Sequence, residues 1–145
     1  QKKFDTHIKL GKIGFVLAIG VFVSTLYVFI AVFNGWDAME PFVRANRLLM
    51  LSFAVFLILA YLNRKNREQH KRFIFWAIIL PIEPIMGRVS DVFQVDNWEL
   101  FYAGVWHAFF ISFFIYDWQT LKSIHPISWI GLTWFYIAWI ISIFS

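Results

Sequence analysis

One apolar stretch, residues 13–33, constrains this chain most: it runs for 21 residues without a charged side chain. A helix rises about 1.5 Å per residue, so this stretch can cross a hydrocarbon core about 30 Å thick. Only 15% of all residues are charged, against about 25% in a typical soluble domain. Because lipid offers no partners to backbone polar groups, the spans should be helical. The sequence therefore predicts an all-α integral membrane protein.

Long apolar runs bounded by charge recur along the chain. We predict a polytopic transmembrane helix bundle that forms a single transmembrane domain over residues 1–145. Its five predicted spans are residues 13–33, 42–62, 73–86, 100–116 and 127–144. The connections are short, so consecutive helices should be antiparallel neighbours. The third span has only 14 residues and contains Pro81 and Pro84, so we expect a short helix, kinked at these prolines and not helical at Glu83.

The basic residues predict the orientation. Of the 13 Lys and Arg residues, ten lie on the side of the membrane that holds the amino end; Arg44, Arg47 and Arg88 lie on the other. The positive-inside rule then places the N-terminus in the cytoplasm and the C-terminus outside. Because the basic residues flank apolar spans, the expected partners are the lipid bilayer and a membrane protein or second copy, with no nucleic acid. The first residue is Gln rather than Met, which suggests a fragment.

Ionisable residues are predicted in the outer half of the membrane, around the stretch "PIEPIMGR". This polar intramembrane cluster comprises Glu83, Arg88, Arg44, Arg47, His107 and Asp91. In one interpretation Glu83 pairs with an arginine and the other arginines reach the headgroups. In the other, the cluster is a pocket for an anion, a proton or a polar ligand. In both, we expect Glu83 to lie inside the bundle, within hydrogen-bonding reach of an arginine or of His107.

A second group of residues is predicted on the cytoplasmic side. It comprises His7, His70, His125 and Asp117. Imidazole and carboxylate ligands could bind zinc, iron or copper, and two opposed imidazoles could bind a b-type haem. The alternative is that these histidines form hydrogen bonds at the interface or contact lipid headgroups. The chain has no cysteine, which excludes thiolate metal sites and disulfides.

Catalytic signatures are absent from the sequence: there is no GxSxG, HExxH or phosphate-binding loop. Whether the protein is an enzyme is left open. The first hypothesis is a non-enzymatic membrane protein, either an accessory or structural subunit or a ligand-binding helical bundle. One alternative is a haem-binding or metal-binding redox protein that uses the cytoplasmic histidines. Another is a proton or anion pathway through the outer Glu, Arg and His residues.

Three short motifs, "HIKLGK", "EQHKRFIFWAIILP…GR" and "YDWQTLKSIHP", carry a family resemblance. They resemble small uncharacterised bacterial multi-pass membrane proteins with a His-x-x-Leu-Gly start, a His-Lys/Arg-Arg helix opening, a proline-containing helix ending in Arg, and a His-Pro loop. The resemblance implies a location in the bacterial inner membrane but no activity, and Glu83 is not part of its pattern. It implies family positions at His7, Gly11, His70, Arg72, Arg88, Asp117, His125 and Pro126.

Overall fold

A computed structural model describes the backbone from Lys2 to Ser145 and the side chains from Thr6 onward, and every regular element in this part of the chain is helical. The helices are α1 (Lys2–Ala31), α2 (Pro41–Leu62), α3 (Arg67–Ile79), α4 (Glu83–Val92), α5 (Trp98–Leu121) and α6 (Pro126–Phe144). A 3-10 turn, Leu80–Ile82, joins α3 to α4. Within the described residues, five segments are long and apolar enough to cross a membrane, and α3, the turn and α4 together form the third. The prediction of a five-span, multi-pass helical membrane protein is confirmed.

The third span differs from its predicted form in length. It extends over Arg67–Val92, 26 residues, rather than 14. The prediction ended the span at the nearest charged residues, but a helix can continue through charged turns once it has left the hydrocarbon core. Asn66 supports the early start of α3, because its side-chain oxygen accepts hydrogen bonds from the backbone N–H groups of Glu68 and Gln69, both at 3.2 Å.

The predicted kink is present at Pro81, whose φ of −88° and ψ of 23° are not helical. Pro84 lies in the first turn of α4, where backbone N–H groups have no partner within the helix. The absence of an N–H group on proline therefore costs no helical hydrogen bond. Glu83, at φ −56° and ψ −46°, is helical, so the prediction of non-helical geometry there was wrong. The chain accommodates both prolines with one short 3-10 turn, and Glu83 then begins a new helix.

The chain divides into two compact units, Gln1–Met39 and Glu40–Ser145, and the single domain expected from the sequence stays a prediction. The first unit contains α1, which is continuous through Gly11, Gly14 and Gly20. The second unit contains α2 to α6.

In the second unit, α2 packs against α3 and α6, α3 packs against α6, and α4 packs against α5. Small residues allow these close approaches, because they let helix backbones come near each other. Trp76 of α3 is fully buried in the core and packs against Phe110 and Phe113 of α5. Gly131 of α6 lies so close to the Trp76 indole that a Cβ atom would overlap the ring.

The helix ends of this unit form two polar clusters. At one end, which we call the basic end, the start of α3, the end of α5 and the start of α6 meet. At the other, the acidic end, the start of α2 meets α4 and the start of α5. These two ends hold Glu83 and Asp117 with the residues around them.

Candidate functional site

At the basic end, Arg72 and Asp117 form a buried ion pair, and neither side chain has exposed surface. The second terminal nitrogen of Arg72, Nη2, donates to Asp117 Oδ1. Its other terminal nitrogen, Nη1, donates to the Glu68 carbonyl oxygen at 2.6 Å and to the Glu68 carboxylate at 2.9 Å. The guanidinium charge therefore lies between two carboxylates, one on its own helix and one on α5.

The other oxygen of Asp117, Oδ2, accepts two further hydrogen bonds. The Ser128 hydroxyl donates to it at 2.6 Å, and the backbone N–H of His125 donates at 3.0 Å. A buried charge is tolerable when it is paired and hydrogen-bonded in this way. These contacts join the ends of α3, α5 and α6, and both Asp117 oxygens accept hydrogen bonds. We call the group the Arg72–Asp117 cluster; it comprises Glu68, Arg72, Asp117, His125 and Ser128.

The predicted metal site is not assembled by this cluster. Across the part of the chain whose side chains are described, no three His, Asp or Glu side chains come together as ligands for a metal ion. His125 contacts Asp117 through its backbone, while its Nδ1 accepts a hydrogen bond from the Ile127 N–H at 3.1 Å. The proton of the neutral imidazole is then on Nε2, and the Nδ1 lone pair is used by Ile127, so neither ring nitrogen has a free lone pair for zinc or haem iron.

The other two predicted ligands are His70 and His7. His70 Nδ1 lies 2.8 Å from the carbonyl oxygen of Ala60, which accepts only, so this nitrogen carries a proton. His7 belongs to the first compact unit and has no described relation to the others. His70 and His125 form hydrogen bonds to the backbone, as the alternative hypothesis requires, but their position at the membrane interface stays a prediction.

His125 predicts a pH dependence of stability. Burial, and then the charge of Arg72, lower the pKa of its imidazole below the ordinary value of 6.5, although Asp117 and Glu68 act in the opposite direction. The unfolded chain then binds more protons, so stability is complete above about pH 6.5 and is lost as the pH falls below it. We expect the melting temperature in detergent to fall between pH 7 and pH 5, and His125→Asn, which keeps a capping oxygen, to reduce this slope. An unchanged slope in that variant would assign the acid sensitivity to other groups.

At the acidic end, Glu83 is buried, with 8% of its surface exposed, so the prediction that it lies inside the bundle is confirmed. The predicted partner was wrong. The Glu83 Oε2 atom accepts a hydrogen bond from the side-chain amide of Asn46, and Oε1 accepts none from a described residue. Successive helical residues are about 100° apart, so Asn46 presents a different face of α2 from Arg44 and Arg47.

Glu83 lies in the wall of a cleft of about 640 Å³. The lining of this Glu83 cleft consists of Phe42, Glu83, Gly87, Ser90, Asp91, Gln94, Val95, Asp96, Trp98 and Tyr102. The predicted cluster is therefore divided: Glu83 and Asp91 line the cleft, whereas Arg44, Arg47, Arg88 and His107 do not. No basic side chain of a described residue lines the cleft, which does not favour the anion pocket that was one of the predictions.

The inner wall of the Glu83 cleft is formed by close contact between α4 and α5. The Tyr102 hydroxyl lies 3.1 Å from the position that a Cβ atom on Gly87 would occupy. Ser90 donates to the Gly87 carbonyl at 2.8 Å, and its hydroxyl is 3.4 Å from that of Tyr102. Two hydroxyl groups therefore line the same cleft as the Glu83 carboxylate and make this wall polar.

His107 lies elsewhere, at an apolar groove of about 480 Å³ between α5 and α6. Its Nδ1 is 2.6 Å from the Ala103 carbonyl oxygen and must donate, because a carbonyl oxygen only accepts. Nε2 of the neutral ring therefore accepts from the Tyr136 hydroxyl, at 2.7 Å. This residue is part of a separate hydrogen-bonded pair, and not a partner of Glu83.

Several site residues escaped prediction because they are neutral. Asn46, Ser128 and Tyr102 are uncharged, whereas the predicted clusters contained only ionisable residues. Two signals were nevertheless present in the sequence. Asn46 is an amide inside a spanning segment, and Ser128 follows His125 by three residues, the spacing of one helical turn.

Comparison of the chain with protein-family models, with curated proteins and with solved structures finds no match. The family resemblance indicated by the sequence motifs stays a prediction. The function must therefore be inferred from the geometry of the two polar clusters.

Proposed function

We propose that the protein is a non-catalytic, multi-pass protein of a bacterial inner membrane that binds a small polar ligand in the Glu83 cleft. The supporting observation is the environment of Glu83, whose side chain is nine-tenths buried. One carboxylate oxygen accepts a hydrogen bond from the neutral Asn46 amide, and the other accepts none from a described residue. Such a group is costly unless a counter-charge, a hydrogen-bond donor or a proton reaches it. A ligand in the cleft supplies that partner.

The position of the cleft supports entry of the ligand from water. Glu83 begins α4, and the other end of this ten-residue helix, at Val92, lies about 13 Å away at the acidic end. The positive-inside rule places the basic end in the cytoplasm and the acidic end outside. In this orientation the cleft receives its ligand from the external side, and the Arg72–Asp117 cluster faces the cytoplasm.

A subunit role is compatible with this proposal, because a ligand-binding bundle can also be an accessory component beside a membrane-protein partner or a second copy. The specific competing function is a proton pathway. Its supporting observation is the same Glu83 oxygen, which would take up a proton in place of a ligand. The redox alternative has less support, because neither ring nitrogen of His125 has a free lone pair for a metal.

Glu83→Gln tests the proposal. Glutamine keeps an oxygen for Asn46 but removes the charge, so the variant should fold and bind ligand weakly. The measurement is the melting temperature in detergent with panels of amines, amino acids, sugars and carboxylic acids. A ligand at 100 times its Kd stabilises the folded protein by about 2.7 kcal/mol, and Glu83→Gln should lose most of this gain.

Glu99→Gln is the matched control, because Glu99 is an exposed carboxylate on α5 outside the cleft lining. It should retain the ligand-induced stabilisation. Equal stabilisation of the Glu83→Gln variant, or no stabilisation by any compound, would refute the proposed binding site. Proton flux into liposomes that Glu83→Gln abolishes would instead favour the pathway.

A further inference from the structure

We infer that the ligand of the Glu83 cleft is a small organic ammonium ion, that is, a protonated or quaternary amine. The inference rests on the proposed function and names the ligand class for the same site. It combines three observations: the charge of the lining, the spacing of its carboxylates, and the aromatic rings beside them.

The charge of the lining favours a cation. Glu83, Asp91 and Asp96 contribute carboxylates to the cleft, and no lysine, arginine or histidine from the described part of the chain lines it. A cleft lined by one sign of charge, with low-dielectric walls, attracts ions of the opposite sign. The buried Glu83 carboxylate has an oxygen, Oε1, that accepts no hydrogen bond from a described residue and can accept one from such an ion.

The spacing of the carboxylates favours an ion larger than a metal. Calcium needs six to eight oxygen ligands within about 2.3–2.6 Å. Over the described side chains, these three carboxylates do not form a group able to hold a metal ion. The cleft volume of about 640 Å³ lies in the range of pockets for small organic molecules. A cation several ångströms across fits the spread of negative charge.

Aromatic rings in the cleft lining provide a second kind of binding group for an ammonium ion. Phe42 and Trp98 meet edge to face with centroids 6.1 Å apart, and Trp98 meets Tyr102 in the same way at 5.2 Å. Trp98 and Phe42 nevertheless remain 41% and 37% exposed. An ammonium group over an aromatic face is attracted by the ring quadrupole, and carboxylates beside the rings add to this attraction. An organic cation therefore has both of its usual binding groups in one cleft.

The test uses choline and its neutral isostere 3,3-dimethylbutan-1-ol, measured by calorimetry on the full chain in lipid-free detergent. Choline should bind at least about tenfold more tightly than the isostere, because only its charge differs. Glu83→Gln should weaken choline binding about tenfold or more, and Trp98→Leu roughly 3- to 30-fold. Glu99→Gln and Trp118→Leu, which alter exposed residues outside the cleft, should leave it unchanged.

The ammonium group could belong to a free amine or to a lipid headgroup, and nanodiscs distinguish these sources. If phosphatidylethanolamine is the source, choline should bind more weakly in nanodiscs that contain it than in nanodiscs of phosphatidylglycerol alone. Equal affinity in both would assign a free amine. Asp91→Asn, a change at an exposed position of the lining, repeats the charge test should Glu83→Gln fail to fold.

The outcomes separate the inference from the proposed function. Equal binding of choline and its isostere, or unchanged choline binding in both carboxylate variants, overturns the ammonium class. If another class of compound then stabilises the protein in a Glu83-dependent manner, the proposed function stands. If no compound does so, both fail.

Discussion

Replacing Asp117 by alanine should lower the free energy of unfolding by about 3–5 kcal/mol, because it leaves the buried Arg72 guanidinium without its partner on α5. The Ser128 hydroxyl and the His125 N–H group lose their acceptor in the same step. Glu68 remains beside Arg72, so we expect the lower part of this range. The measurement is denaturant unfolding in mixed micelles, with Glu99→Ala as an exposed-carboxylate control on the same helix.

A double variant separates the ion pair from general damage to the fold. Arg72→Met combined with Asp117→Leu removes both charges, so it should be less destabilising than the sum of the two single changes. Residues in one buried network are commonly coupled by about 0.5–3 kcal/mol. Additive losses would contradict the interpretation of Arg72 and Asp117 as a mutually dependent pair.

Gly131→Ala should be the second large effect. The added Cβ atom would overlap the fully buried Trp76 ring, so α3 and α6 would have to move apart. Overpacking of a tight core costs about 1–3 kcal/mol and occasionally more. The same unfolding measurement applies.

Gly104→Ala is the matched control, because the space around the Gly104 Cβ position is open within the structure and alanine favours helix. It should be neutral or slightly stabilising. Trp76→Phe should also recover part of the loss caused by Gly131→Ala, since the smaller ring leaves room. If both glycine variants have the same stability, the α3–α6 contact is looser than described.

The spans could be predicted because they depend on composition and length, which act on each segment separately. The kink at Pro81 was predictable for the same reason, since proline lacks a backbone N–H wherever it lies. The true ends of the third span were not, because Asn66 capping and the charged turns extend the helix beyond the apolar residues. The length and composition of single segments were therefore sufficient to predict the fold class but not the ends of the helices.

The partners of Glu83 and Asp117 could not be predicted, because they depend on which helix faces meet. Asn46 rather than a neighbouring arginine reaches Glu83, a difference of about 100° around α2. Hydrogen bonds from backbone donors, such as the His125 N–H, cannot be predicted from the residue type. One part of the cleft could be predicted from the sequence, because Trp98 and Tyr102 are four residues apart and must share a face of α5.

The 3-10 turn at Leu80–Ile82 divides one membrane crossing into two separately anchored halves. The α3 half is fastened at the basic end by Arg72, whereas the α4 half is held against α5 by the contact of Gly87 with Tyr102. At the junction, the Ile79 carbonyl accepts from the Trp106 indole at 3.4 Å, a bond outside the helical ladder. The turn thus separates the part of the span that is fixed at the basic end from the part that carries Glu83 at the acidic end.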